Sequence, residues 1–170
     1  MESPSSDPAV GHFRSSTGEQ AYVAAYRQAM TLLPTPRSTL DLETTFGRVR
    51  LYEFGAASAD RAAIPVVLLP GRTSGVPMWA YNLPDLAGAR TTYALDALGD
   101  AGLSVQIRRI RDAADQADWL DQVLGQLPVG SVHLVGIVFE RDGKVSRVSD
   151  HDIGFGDILH HAAARLFFLD

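Results

Sequence analysis

Cysteine is absent from the chain, which excludes a disulfide scaffold, a thiolate metal site and a cysteine nucleophile. Positive charge is scarce as well: 15 basic residues face 20 acidic ones, for a formal net charge of -5. That balance argues against a nucleic-acid surface built on bulk charge. No apolar run approaches the roughly 20 residues that a membrane helix needs. The opening stretch, Met1 to Pro8, has neither the basic nor the apolar region of a secretory signal. These absences lead to the expectation of a cytoplasmic protein with no nucleic-acid or membrane partner. What remains, 46% hydrophobic and 21% charged residues in a chain of 170, is the composition of one globular domain with a real core.

Residues 1–16, rich in Ser and Pro, read as a flexible N-terminal arm. Ser16 and Glu19 then have capping-box spacing, and Ala21, Tyr22, Ala25, Tyr26, Ala29, Met30 and Leu33 follow at helical intervals. Pro34 and Pro36 end that helix, whose tyrosine-and-alanine stripe suits the surface of the domain. Two strands are expected at 38–45 and 48–54, joined as a hairpin through Phe46-Gly47. Val66-Val67-Leu68-Leu69 shows no alternation, as in a strand covered on both faces. A short helix around Met78, Trp79, Leu83 and Leu86 is interrupted near Pro84. A strand at 91–97 follows, then a glycine-bearing loop through Ser104. Asp112 is positioned as an N-cap, with Asp115 three residues on and Ala113, Ala117, Leu120, Val123, Leu124 and Leu127 as the buried face. The acidic row Asp112, Asp115, Asp118 and Asp121 reads as a solvated helix face. A further buried strand occupies 131–136. Hairpin, strand, helix, strand, helix, strand is the pattern of an α/β fold with a mostly parallel sheet.

Four segments in order carry a family likeness. Val66-Val67-Leu68-Leu69-Pro70-Gly71 resembles the strand that enters an oxyanion loop, with Pro70 where the usual motif has histidine. Met78-Trp79 stands at the place of a usual tryptophan. Asp96-Ala97-Leu98-Gly99-Asp100-Ala101-Gly102-Leu103-Ser104 resembles a D-x-x-G-x-G-x-S loop with one extra residue between the glycines. Trp119-Leu120 through Val132-His133-Leu134-Val135-Gly136 resembles the helix and strand that lead into a nucleophile elbow. Residues from about 22 to 136 thus resemble the N-terminal half of an α/β-hydrolase of the carboxylesterase-like bacterial type. The resemblance implies a serine hydrolase acting on small ester or acyl substrates without a cofactor. It also implies Gly71, Arg72 and Thr73 as the oxyanion loop, the amides of Arg72 and Thr73 being its donors.

The likeness stops at the elbow. G-x-S-x-G is expected there, whereas the chain reads Gly136-Ile137-Val138-Phe139-Glu140. Val138 holds the serine position and has no nucleophilic atom, and β-branching disfavours the positive φ of an elbow. No serine, acid and histidine of a triad can be named, so catalytic incompleteness is the expectation. Only 34 residues follow Gly136, fewer than the remaining strands of the family fold require. These residues, 137–170, differ in texture: they hold Lys144, the sole lysine, and no tyrosine. They read as a divergent tail packed on the domain of residues 17–136. In it, a hairpin with Asp142-Gly143 at its tip precedes an amphipathic helix over 157–169. His151, Asp152, His160 and His161 invite a metal reading. Adjacent helical residues diverge by about 100°, so surface histidines are the better account and no metal is expected. The fold class expected is therefore α/β: a partial α/β-hydrolase-like three-layer sandwich completed by a non-family hairpin and helix. The alternative function is a non-catalytic binding or self-assembling module in which the tail or a second chain, as in a homodimer, completes the sheet.

Overall fold

A computed structural model of the chain describes residues 10–60 and 62–136, and beyond them the backbone of three two-residue strands. Helix α1 (Ser16–Met30) starts one residue earlier than its capping box suggests. Ser15, in an extended conformation, is the N-cap, and its hydroxyl accepts from the Gly18 N–H at 3.1 Å. Glu19 lies in the first turn, where a carboxylate meets the positive end of the helix dipole.

Strands β1 (Ser38–Thr44) and β2 (Gly47–Phe54) form the expected antiparallel hairpin, with Thr44 opposite Gly47. Thr45-Phe46 is therefore the turn, and Gly47 belongs to β2. Strand β3 (Val66–Leu69) is buried at every residue. A single 3-10 turn (Val76–Trp79) precedes helix α2 (Leu83–Ala89). Pro84 opens α2 rather than interrupting a helix, because the first-turn N–H groups have no intrahelical partner to lose. Strand β4 (Thr92–Leu95) and helix α3 (Ala113–Leu124) follow, with strand β5 (Val105–Gln106) between them. Strand β6 (Val132–Gly136) ends the fully described part of the chain.

The sheet runs β1-β2-β4-β3-β6, with β3 parallel to both β4 and β6 and β5 attached to β2. Alternate residues of each strand serve two separate cores. Val49, Leu51, Val67, Leu69, Tyr93 and Leu95 face Ala117, Leu120 and Val123 of α3. Tyr52, Phe54, Val66, Leu68 and Ala94 meet Tyr26 of α1 together with Trp79, Leu83 and Ala87. Helices thus cover both faces, giving the three-layer sandwich. Each fully buried Val, Leu or Phe contributes about 1.5–3 kcal/mol through burial, so the two-faced strand β3 anchors both cores at once.

Beyond β6, strand β7 (Val138–Phe139) pairs antiparallel with β8 (Val145–Ser146), as the tail hairpin requires. Strand β9 (Leu166–Phe167) adds parallel to β6. Its two residues fall within the span 157–169, where periodicity predicts a helix. Leu166-Phe167-Phe168-Leu169 is a short continuous apolar run, whose pattern suits a covered strand as well as a helix, and the open side of β6 offers the hydrogen bonds. The remainder of that span, and residues 1–9 of the arm, lie outside the described residues.

Strand β5 is too short to leave a sequence pattern, and Gly47 explains it. At φ 138° Gly47 has no side chain to exclude the Val105 carbonyl, which occupies the space a Cβ would need. The Ile107 N–H then bonds the Phe46 carbonyl at 2.9 Å. Gly47→Ala is expected to lower unfolding free energy by more than about 1 kcal/mol, because both the conformation and the space are lost. Urea denaturation of the two proteins measures the difference; equal midpoints would refute this account.

Candidate functional site

Three parallel strands, β3, β4 and β6, bring their carboxyl ends to one edge of the sheet. In open α/β sheets, ligands bind in the crevice outside such ends. Leu69 is registered with Gly136, so the Gly71-Arg72-Thr73 loop and the chain leaving β6 toward Val138 emerge side by side. Val138 itself is extended and paired with Ser146, the hairpin geometry that β-branched residues favour. The residue in the serine position is thus in a strand. Glu140 lies outside the described residues.

The backbone donors of the loop after β3 are individually accounted for. The Gly71 N–H points at the Met78 sulfur, 3.2 Å away. The Thr73 N–H donates to Asp100 Oδ1 at 2.9 Å, and the Ser74 N–H to the Gly71 carbonyl at 3.1 Å. The Arg72 N–H and, beyond the Gly71-Arg72-Thr73 stretch, the Gly75 N–H have no acceptor among the described residues. The family resemblance implies Arg72 and Thr73 as donors; of the two, the Thr73 N–H is engaged by the Asp100 carboxylate. Thr73 also has a φ of 60°, an outlier for a β-branched residue.

Beneath this loop lies Asp96, fully buried at the end of β4. Its Oδ1 accepts from the Val76 N–H at 2.9 Å, while Oδ2 accepts from the Tyr26 hydroxyl at 2.7 Å and the Leu103 N–H at 2.8 Å. A single carboxylate therefore joins α1, the 3-10 turn and the loop that follows β4.

No protein-family model matches the chain. Over 116 residues, 68% of this chain, it is 29% identical to a carboxylesterase of Bacillus subtilis called nap and 28% identical to that organism's carboxylesterase YbfK. Its structure aligns with the crystal structure of naproxen esterase (carboxylesterase NP) from the same organism, with a TM-score of 0.71 and 24% identity over 91% of this chain. The fold is that of an α/β-hydrolase, and the sequence is related to bacterial carboxylesterases. The chain spans 37% and 38% of the length of those two relatives and 49% of the structural neighbour.

Within this hydrolase fold, several side chains take places that the sequence does not disclose. Asp115, expected on a solvated face, is buried at the start of α3 while Asp112, Asp118 and Asp121 are exposed. It accepts from the Arg111 guanidinium at 3.0 Å and lies 3.7 Å from Arg108, which stacks over the Phe46 ring at 4.2 Å. The Arg111 hydrogen bonds hold the Asp115 carboxyl below the usual carboxylate range. Tyr22 stands out in the sequence only as part of a helix stripe, yet its hydroxyl accepts from the Gly102 N–H at 2.5 Å. Sequence spacing gives no signal of that bond, since its partner is 80 residues away. Among the described residues no group of three or more His, Asp or Glu could hold a metal ion; His151, Asp152, His160 and His161 lie outside them. No helix among the described residues is long and apolar enough to cross a membrane.

Burial pushes the Asp96 carboxyl above the usual carboxylate range, against the opposing pull of the Val76, Leu103 and Tyr26 donors and the Arg50 charge. Burial and the adjacent carboxylate push the Tyr26 phenol well above its ordinary value, so it stays a donor. A carboxyl raised on folding binds its proton more tightly in the native state, and stability falls as pH rises. The favourable contribution is complete below the unfolded value of about 4 and is lost as pH climbs to the raised native value. In Asp96→Asn the amide NH2 would face either the Leu103 or the Val76 N–H. That variant is expected to cost about 1–3 kcal/mol at the acid end, with the deficit shrinking as pH increases. Urea titrations of both proteins across the weakly acidic range measure this, and a deficit that grows with pH would refute it.

Proposed function

We propose that this protein is an esterase-type α/β-hydrolase domain that binds a small acyl or ester group and, in the present chain, does not turn it over. The observation that carries this reading is the Arg72 N–H, the one donor of the Gly71-Arg72-Thr73 stretch without an acceptor among the described residues, at the carboxyl edge of the sheet. Acyl transfer develops negative charge on a carbonyl oxygen, and preset backbone donors stabilise that charge. The relationship to carboxylesterases supports an ester as the ligand class. Valine at position 138 supports the absence of turnover, because it offers no oxygen to attack the carbonyl. In this reading residues 17–136 form the acyl-binding unit, residues 137–170 are a divergent tail packed on it, and no cofactor takes part. A cytoplasmic location belongs to the same reading, in keeping with a chain that uses no cysteine.

A second reading, assembly through a homodimer, draws on β1, the seven-residue strand at the end of the sheet order. An exposed edge is a template for pairing with another chain. Sedimentation velocity at several concentrations decides it: a monomer throughout sets this second reading aside.

For the leading reading, incubation with a fluorophosphonate probe should label no serine, and p-nitrophenyl butyrate should be hydrolysed no faster than in buffer. Ethyl butyrate should nevertheless shift the Arg72 amide resonance in a saturable manner. A specifically labelled serine would overturn the claim of silence, and an unmoved Arg72 amide would overturn acyl binding.

A further inference from the structure

The geometry points to Asp100 as the positioning residue of the acyl-binding loop: its carboxylate clamps Thr73 in a left-handed conformation and so leaves the preceding Arg72 N–H as the available donor. This rests on the acyl-binding reading above and goes beyond it by assigning the residue that holds the donor in place. The starting observation is Thr73, the one non-glycine residue with positive φ among those described. A β-branched residue does not adopt φ 60° without a compensating interaction. The compensation is the 2.9 Å bond from the Thr73 N–H to Asp100 Oδ1. Hydrogen bonds to an ionised acceptor are roughly twice as strong as neutral ones.

The clamp has a rigid base. Asp100 stands in the loop between β4 and β5, closed by the Asp100 N–H to the Ala97 carbonyl at 3.4 Å and by the Leu103 N–H to Asp96. Asp96 in turn grips Val76, just past the acyl-binding loop. The segment from Thr73 to Val76 is therefore held at both ends by carboxylates of one neighbouring loop. Gly71, two residues before that segment, is tied to Met78. The Arg72 N–H belongs to the Gly71–Arg72 peptide, whose carbonyl accepts from the Ser74 N–H at 3.1 Å. With the next peptide held by Asp100 through the Thr73 N–H, rotation of the Gly71–Arg72 peptide is blocked and the Arg72 N–H keeps one orientation. Asp100 touches no reacting atom in this scheme; it acts through Thr73.

Binding of ethyl butyrate, followed by the Arg72 amide resonance, tests the assignment. Asp100→Ala should weaken the apparent affinity by about tenfold, the equivalent of one charge-assisted hydrogen bond. Asp100→Asn, which keeps an acceptor oxygen, should restore most of the wild-type response. A merely structural role would lower the melting temperature without this split between alanine and asparagine. Should Asp100→Ala fail to fold, it is combined with Thr73→Gly, since glycine accepts φ 60° without support; the double variant should fold and still bind weakly. Wild-type affinity in the alanine variant or in the double variant would overturn the clamp while leaving acyl binding intact. Absence of any response in the wild-type protein would instead count against the acyl-binding reading itself.

Discussion

One buried carboxylate organises this end of the molecule. Asp96 is charged or protonated inside a sandwich of helices, and either form needs partners, because an unpaired buried polar group costs about 1–3 kcal/mol. It obtains three donors from three different segments: Tyr26 of α1, Val76 after the loop that follows β3, and Leu103 in its own loop. Its carbonyl accepts from the Ser104 hydroxyl, whose oxygen accepts from the Arg50 N–H at 2.8 Å. The sheet, the outer helix and both site loops are therefore tied at one point. Displacing any one of these segments leaves a polar atom unpaired in the interior.

The same point dictates where glycine must stand. A Cβ at Gly102 would enter the Asp96 carboxyl group, and its φ of 147° is closed to other residues in any case. A Cβ at Gly75 would lie 2.9 Å from Asp96 Oδ1 and equally close to the Ala101 carbonyl. These glycines let two backbones approach one side chain. Glycine at positions 75 and 102 is thus a packing requirement around Asp96, and the extra residue between Gly99 and Gly102 leaves Gly102 beside the carboxyl. The loop that holds the extra residue between Gly99 and Gly102 also delivers Asp100 to Thr73.

Local chemistry makes much of this fold legible. Four consecutive apolar residues at 66–69 announce a strand covered on both faces, and both cores do meet there. Asp112 announces the start of α3, and its side chain does accept from the Asp115 N–H. The order of segments announces the hydrolase fold. What stays hidden depends on the tertiary arrangement. Asp115 has the same composition and spacing as its exposed neighbours, and only the arrival of Arg108 and Arg111 buries it. Strand β5 has two residues and no pattern. Thr73 looks like a second donor because the acceptor that occupies it comes from 27 residues away. Leu166 and Phe167 show the converse error, a periodicity that fits a helix and is overridden by the open side of β6.

A donor without a nucleophile has a definite energetic consequence. An oxyanion hole is worth most when charge builds up on oxygen, where losing one donor costs about 2.7–4 kcal/mol of transition-state stabilisation. A neutral ester carbonyl gains only about 0.5–1.5 kcal/mol net from the same N–H. On the proposed reading, with valine at position 138, no tetrahedral intermediate forms on this chain, so the greater stabilisation is never realised. The retained loop can then contribute orientation and a small part of an affinity whose remainder must come from apolar contact with the acyl chain. Donor geometry and nucleophilic attack, usually found together in the fold, are separable properties. The geometry that aims the Arg72 N–H is maintained by Asp96 and Asp100 through folding energetics alone, and it persists whether or not any residue stands ready to attack.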